Sequence, residues 1–220
     1  MKASILIMAG GKSSRMDYQD KANLSYHGQT FLTGIVKRLK PYTNQLMISE
    51  GKMTHRDYHE EVKDAVFVKD IYEDCGPMGG LHAALLQCKE EYLYVAACDM
   101  PKMEIYLYQY LMEFDKEKYD AIIPTWNGNM QPLAGIYKKR ILNQVKEQME
   151  SGDNTMKHLL RNLSVCLVEV GENKLLSEML ENIKKNHSKV ITLEDGVLDG
   201  GFGEKIARFY GPSDVKVYNY

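Results

Sequence analysis

The most constraining feature of this sequence is a short apolar run, residues 5–8, which is followed by a glycine pair at residues 10–11. The run is long enough for a buried strand and too short for a helix. Adjacent glycines after a strand allow a tight turn and bring bare backbone N–H groups against a ligand. Lys12, Arg15 and Lys21 place cationic side chains around the same turn. Because clustered amides and cations bind phosphate well, the segment predicts a phosphate-binding loop.

This loop differs from two common nucleotide-binding loops. It has neither the Gly-x4-Gly-Lys-[Ser/Thr] spacing of a Walker loop nor the Gly-x-Gly-x-x-Gly spacing of a dinucleotide-binding turn. A glycine turn beside a solvated basic patch is the competing interpretation. Two further motifs favour the ligand site.

The first of these is Cys-Gly-Pro-Met-Gly-Gly-Leu-His at residues 75–82, which follows a predicted strand at residues 65–69 and Asp70. Gly76 and Pro77 are typical of a helix start that lies close to a ligand. A tight strand-to-helix turn without a ligand is the alternative.

The second motif is the predicted strand at residues 92–98, which runs directly into Asp99. Ligands of parallel α/β sheets bind outside the carboxyl ends of the strands. A carboxylate at this position suits Mg²⁺ that is bridged by nucleotide phosphates, although a helix N-cap is the alternative.

Predicted strands and helices alternate along most of the chain. This pattern indicates an α/β fold, with a mostly parallel sheet and helices on both faces. An Asn-Gly pair at residues 127–128 predicts a hairpin. The remaining strands are predicted at residues 45–49, 119–124, 131–137 and 165–170, and helices at residues 31–39, 75–86, 141–148 and in a short segment ending at 160.

Bulk properties exclude several classes of function. The net charge of −2 gives no support for a nucleic-acid partner. Without a run of 18 apolar residues no membrane span is expected, and we expect a cytoplasmic protein. Four cysteines without a Cys-x-x-Cys pair indicate neither a zinc site nor a disulfide framework.

Residues 1–172 resemble the molybdenum cofactor guanylyltransferase family through four ordered motifs. They are Met-Ala-Gly-Gly-Lys-Ser-Ser-Arg-Met with Asp-Lys at residues 20–21, the Gly-Pro turn, Asp-Met-Pro at residues 99–101, and Gln-Pro-Leu-Ala-Gly-Ile-Tyr at residues 131–137. The resemblance implies a Rossmann-like three-layer nucleotidyltransferase fold. It also implies GMP transfer from GTP to molybdenum-bound molybdopterin, with Mg²⁺ as cofactor and a molybdoenzyme or its chaperone as a further partner.

The same resemblance implies the residues of the site. The implied catalytic residues are Arg15, Lys21 and Asp99, and Asp99 is also the implied metal ligand. The implied GTP-binding residues are Met8, Ala9, Gly10, Gly11, Lys12, Ser13, Lys21, Glu50, Asp70, Gly76, Pro77 and Asp99.

Three departures from the family pattern leave alternatives open. Asp17 replaces the usual glycine, Glu50 stands where an asparagine commonly reads guanine, and the closing Asn-x-Asn-Thr-Pro segment is absent from the sequence. A cytidylyltransferase or sugar-nucleotide transferase of the same fold is therefore one alternative. A non-catalytic nucleotide-binding or interaction module is another.

Residues 173–220 are predicted to form a separate, short α/β tail. Val-Ile-Thr-Leu-Glu-Asp-Gly and Gly-Gly-Phe-Gly in this segment resemble part of the C-terminal domain of 1-deoxy-D-xylulose-5-phosphate synthase. A polar helix is predicted at residues 175–186, between the nucleotidyltransferase domain and two apolar strands. We expect this tail to contribute no catalytic groups.

Overall fold

The computed structural model describes residues 3–9, 25–26, 29–49, 62, 64–100, 102–170, 189–192 and 216–219. The chain forms two compact units, Met1–Val168 and Glu169–Tyr220.

Most of the predicted helices and strands are present. Three elements were not predicted: a helix at Ile105–Met112 and two short strands at Ser25–Tyr26 and Gln29–Thr30. The strands are β1 (Ala3–Met8), β2 (Ser25–Tyr26), β3 (Gln29–Thr30), β4 (Leu46–Ser49), β5 (Val66–Val68), β6 (Tyr92–Ala97), β7 (Ala121–Trp126), β8 (Asn129–Met130), β9 (Ile136–Lys138), β10 (Val165–Glu169), β11 (Lys189–Thr192) and β12 (Lys216–Asn219). The helices are α1 (Phe31–Leu39), α2 (Pro77–Gln87), α3 (Ile105–Met112), α4 (Leu142–Glu150) and α5 (Met156–Asn162). Short 3₁₀ turns occupy Lys40–Tyr42, Pro132–Ala134 and Lys139–Ile141.

The central sheet has the strand order β10-β7-β9-β6-β1-β4-β5, and β8 pairs with β7. Strands β6, β1, β4 and β5 are mutually parallel. Strand β9 is antiparallel to both β6 and β7, so β7 runs in the same direction as the parallel group. The predicted α/β fold with a mostly parallel central sheet is confirmed.

Helices cover both faces of this sheet. Successive side chains of a strand point to opposite faces, so one strand can pack against both helical layers. On one face, Leu93 and Val95 of β6 belong to a core cluster that includes buried residues of α2, α4 and α5. On the other face, Tyr94 stacks on Tyr108 of α3, with ring centroids 4.8 Å apart. The Tyr108 hydroxyl donates a hydrogen bond to the backbone carbonyl of Val95 at 2.6 Å, which satisfies a polar group that is completely buried. The chain therefore folds into three layers.

The segment at residues 131–137 corrects one prediction. Its first half is not a strand but the 3₁₀ turn Pro132–Ala134, and only Ile136–Lys138 forms β9. Proline has no backbone N–H for a strand ladder and fixes φ, so the chain turns at this point. The Tyr137 hydroxyl donates to the carbonyl of Pro132 at 2.8 Å and so stabilises the turn.

The hairpin predicted at Asn127 and Gly128 is confirmed. Both residues have positive φ angles, 49° and 75°, as a type I′ turn requires. Trp126 faces Asn129 across this two-residue turn.

Strands β11 and β12 pair in parallel in the second unit. The helix predicted at residues 175–186 lies outside the described residues. Within the described part of the chain, no helix is long and apolar enough to cross a membrane.

Candidate active site

The carboxyl ends of the parallel strands meet at one edge of the sheet. Met8 is in register with Ser49 of β4 on one side and with Ala97 of β6 on the other. The backbone N–H of Ala9 donates to the carbonyl of Ser49 at 2.8 Å, and that of Cys98 donates to the carbonyl of Met8 at 3.0 Å. The loop after β1 therefore starts between the ends of β4 and β6, at the edge where such sheets bind ligands.

Helix α2 begins at the same edge with a glycine–proline turn. Gly76 precedes the helix with φ 54° and ψ −137°, a conformation that suits glycine because it has no Cβ. Pro77 occupies the first turn, where a missing N–H has no cost. Both residues are exposed, so the helix N-terminus is accessible to a ligand.

A polar contact joins Ser49 at the end of β4 to Asp70, two residues after β5, and the first turn of α2 packs closely against both. The Ser49 hydroxyl donates to Oδ1 of Asp70 at 3.3 Å. A Cβ added to Gly79 would lie 2.8 Å from Oδ2 of Asp70, and one added to Gly80 would lie 2.5 Å from Oγ of Ser49. The two glycines thus allow the helix to approach the strand ends closely.

Burial alters the acidity of two groups here. The Asp70 side chain is half-buried, and this desolvation raises its pKa, while the hydrogen bond from Ser49 opposes the change. Burial also raises the pKa of the Cys75 thiol, and the nearby carboxylates of Asp70 and Asp74 add to the effect. Cys75 is therefore a protonated thiol at neutral pH and has a packing role.

Asp99 lies two residues after the end of β6 and is exposed at the sheet edge. Within the described parts of the chain, no group of three or more His, Cys, Asp or Glu residues could hold a metal ion. A single carboxylate fits Mg²⁺, because this ion keeps several waters and is commonly bound by one or two carboxylates together with substrate phosphates.

The structure brings together six of the residues that the sequence implied, all at this one edge: Met8, Ala9, Asp70, Gly76, Pro77 and Asp99. The other implied residues lie outside the described part of the chain: Gly10, Gly11, Lys12, Ser13, Arg15, Lys21 and Glu50.

Sequence reasoning missed Ser49 as part of the site. Its position at the end of a strand was the available signal. Its contact with Asp70, 21 residues away, emerges only in the folded chain.

A mostly parallel α/β sheet with a glycine–proline turn and acidic residues at its carboxyl edge is typical of nucleotide-binding proteins. Comparison with known proteins gives the family. Residues 5–170 match the MobA-like NTP transferase domain. The chain belongs to this family and is a nucleotidyltransferase.

Two bacterial relatives bear the name "Probable molybdenum cofactor guanylyltransferase". One, from Clostridium perfringens strain 13, is 33% identical over 195 residues, which cover 89% of this chain and 94% of the relative. The other, from Geobacillus sp. strain WCH70, is 30% identical over 168 residues, which cover 76% of this chain and 86% of the relative. An alignment of 195 residues does not fit within residues 1–172, so similarity to the first relative includes part of the C-terminal segment.

Solved structures show the same fold. Molybdopterin-guanine dinucleotide biosynthesis protein A from Archaeoglobus fulgidus has a TM-score of 0.67 at 22% identity, covering 83% of this chain and 89% of the other. The 2-C-methyl-D-erythritol 4-phosphate cytidylyltransferase of Thermus thermophilus has a TM-score of 0.58 at 16% identity, covering 77% of this chain and 89% of the other.

Proposed function

We propose that this enzyme transfers GMP from GTP to the phosphate of molybdenum-bound molybdopterin. The products are the guanine dinucleotide form of the cofactor and pyrophosphate. The names of the two bacterial relatives support the choice of substrates. The observation that carries the proposal is the meeting of Met8, Ser49 and the residues after β5 and β6 at one sheet edge.

The order of the strands suggests how GTP lies across this edge. Asp70 follows β5 and Asp99 follows β6, and β4 and β1 lie between those two strands. Three strand spacings amount to about 14 Å, a span comparable with an extended nucleotide. We assign the base and ribose to the Ser49–Asp70 side, and the phosphates to the segment from the β1 loop to Asp99.

The chemistry of the transfer requires position and charge neutralisation rather than a protein nucleophile. Backbone amides at Gly10 and Gly11 would bind the phosphates. Lys12, Arg15 and Lys21 would neutralise the charge that develops on the leaving pyrophosphate. Asp99 would hold Mg²⁺, which when bound polarises the phosphate under attack.

The proposal also specifies which nucleotide base the enzyme selects. Glu50 supplies carboxylate oxygens that can accept hydrogen bonds from the N1–H and 2-amino groups of guanine. Cytosine has no such pair of adjacent donors. Selection of GTP therefore follows if Glu50 faces the base.

The test is release of pyrophosphate from GTP, CTP, UTP and ATP, each with and without molybdenum-bound molybdopterin. We expect release that requires both GTP and the acceptor. Release with CTP would favour a cytidylyltransferase. Nucleotide binding without release under any condition would favour a non-catalytic module.

A further inference from the structure

Trp126 is the single tryptophan of the chain, and it lies at the end of β7, the strand next to the edge strand β10. Its side chain is 41% exposed, although the five preceding residues of β7 are buried. A tryptophan contributes most to stability when it is buried, because its apolar area is large. An exposed indole at a strand end therefore raises the question of what it contacts.

The strand register places Trp126 at the edge that carries the active site. Tyr94 of β6 and Ile122 of β7 both pair with Ile136 of β9, so they lie at the same level of the sheet. Trp126 follows Ile122 by four residues, as Cys98 follows Tyr94. Trp126 is thus level with the residue before Asp99, and two strand spacings separate them by about 10 Å.

The local backbone holds Trp126 in place. The type I′ turn at Asn127 and Gly128 closes the hairpin directly after it. The N–H of Gln131 donates to the carbonyl of Pro124 at 2.8 Å, two residues before Trp126. An ordered backbone at this position limits the conformational entropy that is lost when a planar ligand stacks on the side chain.

The order of the strands along the active-site edge leaves one part of this edge for the acceptor. Ser49 and Asp70 lie on the β4–β5 side of the β1 loop, and Trp126 lies beyond Asp99 on the opposite side. In the proposed arrangement the nucleotide spans the edge from β5 to β6, and β9 and β7 extend the same edge beyond Asp99. This part of the edge is left for the acceptor.

We propose that Trp126 is the surface on which the planar pterin ring of the acceptor stacks. The inference rests on the proposed function for the identity of the acceptor. Aromatic side chains bind heteroaromatic rings by stacking. The amides of Asn129 and Gln131 make only long bonds to backbone carbonyls, both 3.4 Å, so they retain capacity to bond the polar edge of the ring.

The first experiment compares steady-state kinetics of the wild-type enzyme with Trp126→Ala and Trp126→Phe. We expect the KM for molybdenum-bound molybdopterin to rise about tenfold in Trp126→Ala, the size of one base–aromatic stack. The acceptor KM of Trp126→Phe, which keeps a smaller aromatic ring, is expected to lie between those of the wild type and Trp126→Ala. The KM for GTP should change less than about twofold, since no base–aromatic stack is lost on the nucleotide side.

The matched control is Tyr42→Ala. Tyr42 is 49% exposed, similar to Trp126, but it precedes β4 and so lies toward the opposite edge of the sheet. This variant should keep both KM values. An unchanged acceptor KM in Trp126→Ala, or a rise in the KM for GTP instead, would overturn the inference.

A binding measurement separates this inference from the proposed function. Stacking on an indole quenches the fluorescence of 6-hydroxymethylpterin, and we expect quenching by the wild type that Trp126→Phe and Trp126→Ala reduce. If the wild type quenches in this way but does not release pyrophosphate with GTP and molybdopterin, the proposed function fails and the pterin site stands. Neither quenching nor release would overturn both.

Discussion

The contact between α2 and the strand ends predicts different outcomes for two adjacent glycine-to-alanine substitutions. Within a helix such a change is stabilising by up to about 1 kcal/mol. In Gly79→Ala the new Cβ would meet Oδ2 of Asp70 at 2.8 Å, the end of a side chain that can rotate away. Rotation loses the 3.3 Å hydrogen bond from Ser49, at a cost of about 0.5–1 kcal/mol. The net change in the free energy of unfolding is therefore near zero.

Gly80→Ala meets a less mobile neighbour. Its Cβ would lie 2.5 Å from Oγ and 3.1 Å from Cβ of Ser49. Ser49 pairs with β1 on one side and β5 on the other, so its backbone cannot move away. Overpacking of this kind costs about 1–3 kcal/mol. After the helix gain, we expect a net loss of about 1 kcal/mol and a Tm lower by about 2–4 °C.

The assay is thermal unfolding together with chemical denaturation, with the fluorescence of Trp126 as the probe of the first unit. The double variant Ser49→Ala with Gly80→Ala removes the 2.5 Å contact and should recover part of the loss. Gly79→Ala should also weaken GTP binding, because it displaces the Asp70 carboxyl group. A Gly80→Ala protein as stable as Gly79→Ala, or more stable, would refute the close packing of α2 on β4.

Two further predictions concern the metal ligand and a buried histidine. Asp99→Asn should abolish Mg²⁺-dependent transfer without changing Tm, because the amide keeps the shape of the side chain but loses its negative charge. The control is Asp64→Asn, the same change at an exposed aspartate before β5, which should keep full activity. An active Asp99→Asn enzyme would remove Asp99 from the mechanism. His82 on α2 is 3% exposed, and its Nδ1 has no hydrogen-bond partner among the residues that the structure describes. Burial lowers its pKa, helped by Lys146 and opposed by Glu150. As the pH falls, the unfolded chain therefore binds a proton at this histidine before the folded chain does. The contribution of His82 to stability is full above about pH 6.5, and below it the free energy of unfolding falls by at most about 1.4 kcal/mol per pH unit. Urea denaturation at several pH values should show a smaller dependence of this free energy on pH in His82→Gln, and an equal dependence would exclude His82 as its source.

The sequence predicted which segments form helices and strands better than it predicted the relative directions of the strands. The hairpin at Asn127 and Gly128 was predictable because those residue types tolerate the positive φ angles that the turn needs. The antiparallel direction of β9 was not predictable, since side-chain periodicity is the same in both strand directions. The turn at Pro132 was misread because an apolar run can be either a strand or a packed turn.

The residues of the candidate site also differ in whether the sequence predicted them. Asp70 and Asp99 were predictable because each directly follows a strand that reads as buried and parallel. The contact of Ser49 with Asp70, and the reason for glycine at residues 79–80, depend on distances between segments that are remote in sequence. The exposure of Trp126 was likewise not predicted from the sequence and emerges in the folded chain.

The most direct test of the proposed function follows the phosphorus atoms of GTP through the reaction. With molybdenum-bound molybdopterin and Mg²⁺, GTP labelled at the α-phosphate should give a labelled pterin dinucleotide, and GTP labelled at the γ-phosphate should give labelled pyrophosphate in equal amount. Transfer of the γ-label to the acceptor, or formation of GDP and inorganic phosphate, would contradict nucleotidyl transfer at this sheet edge.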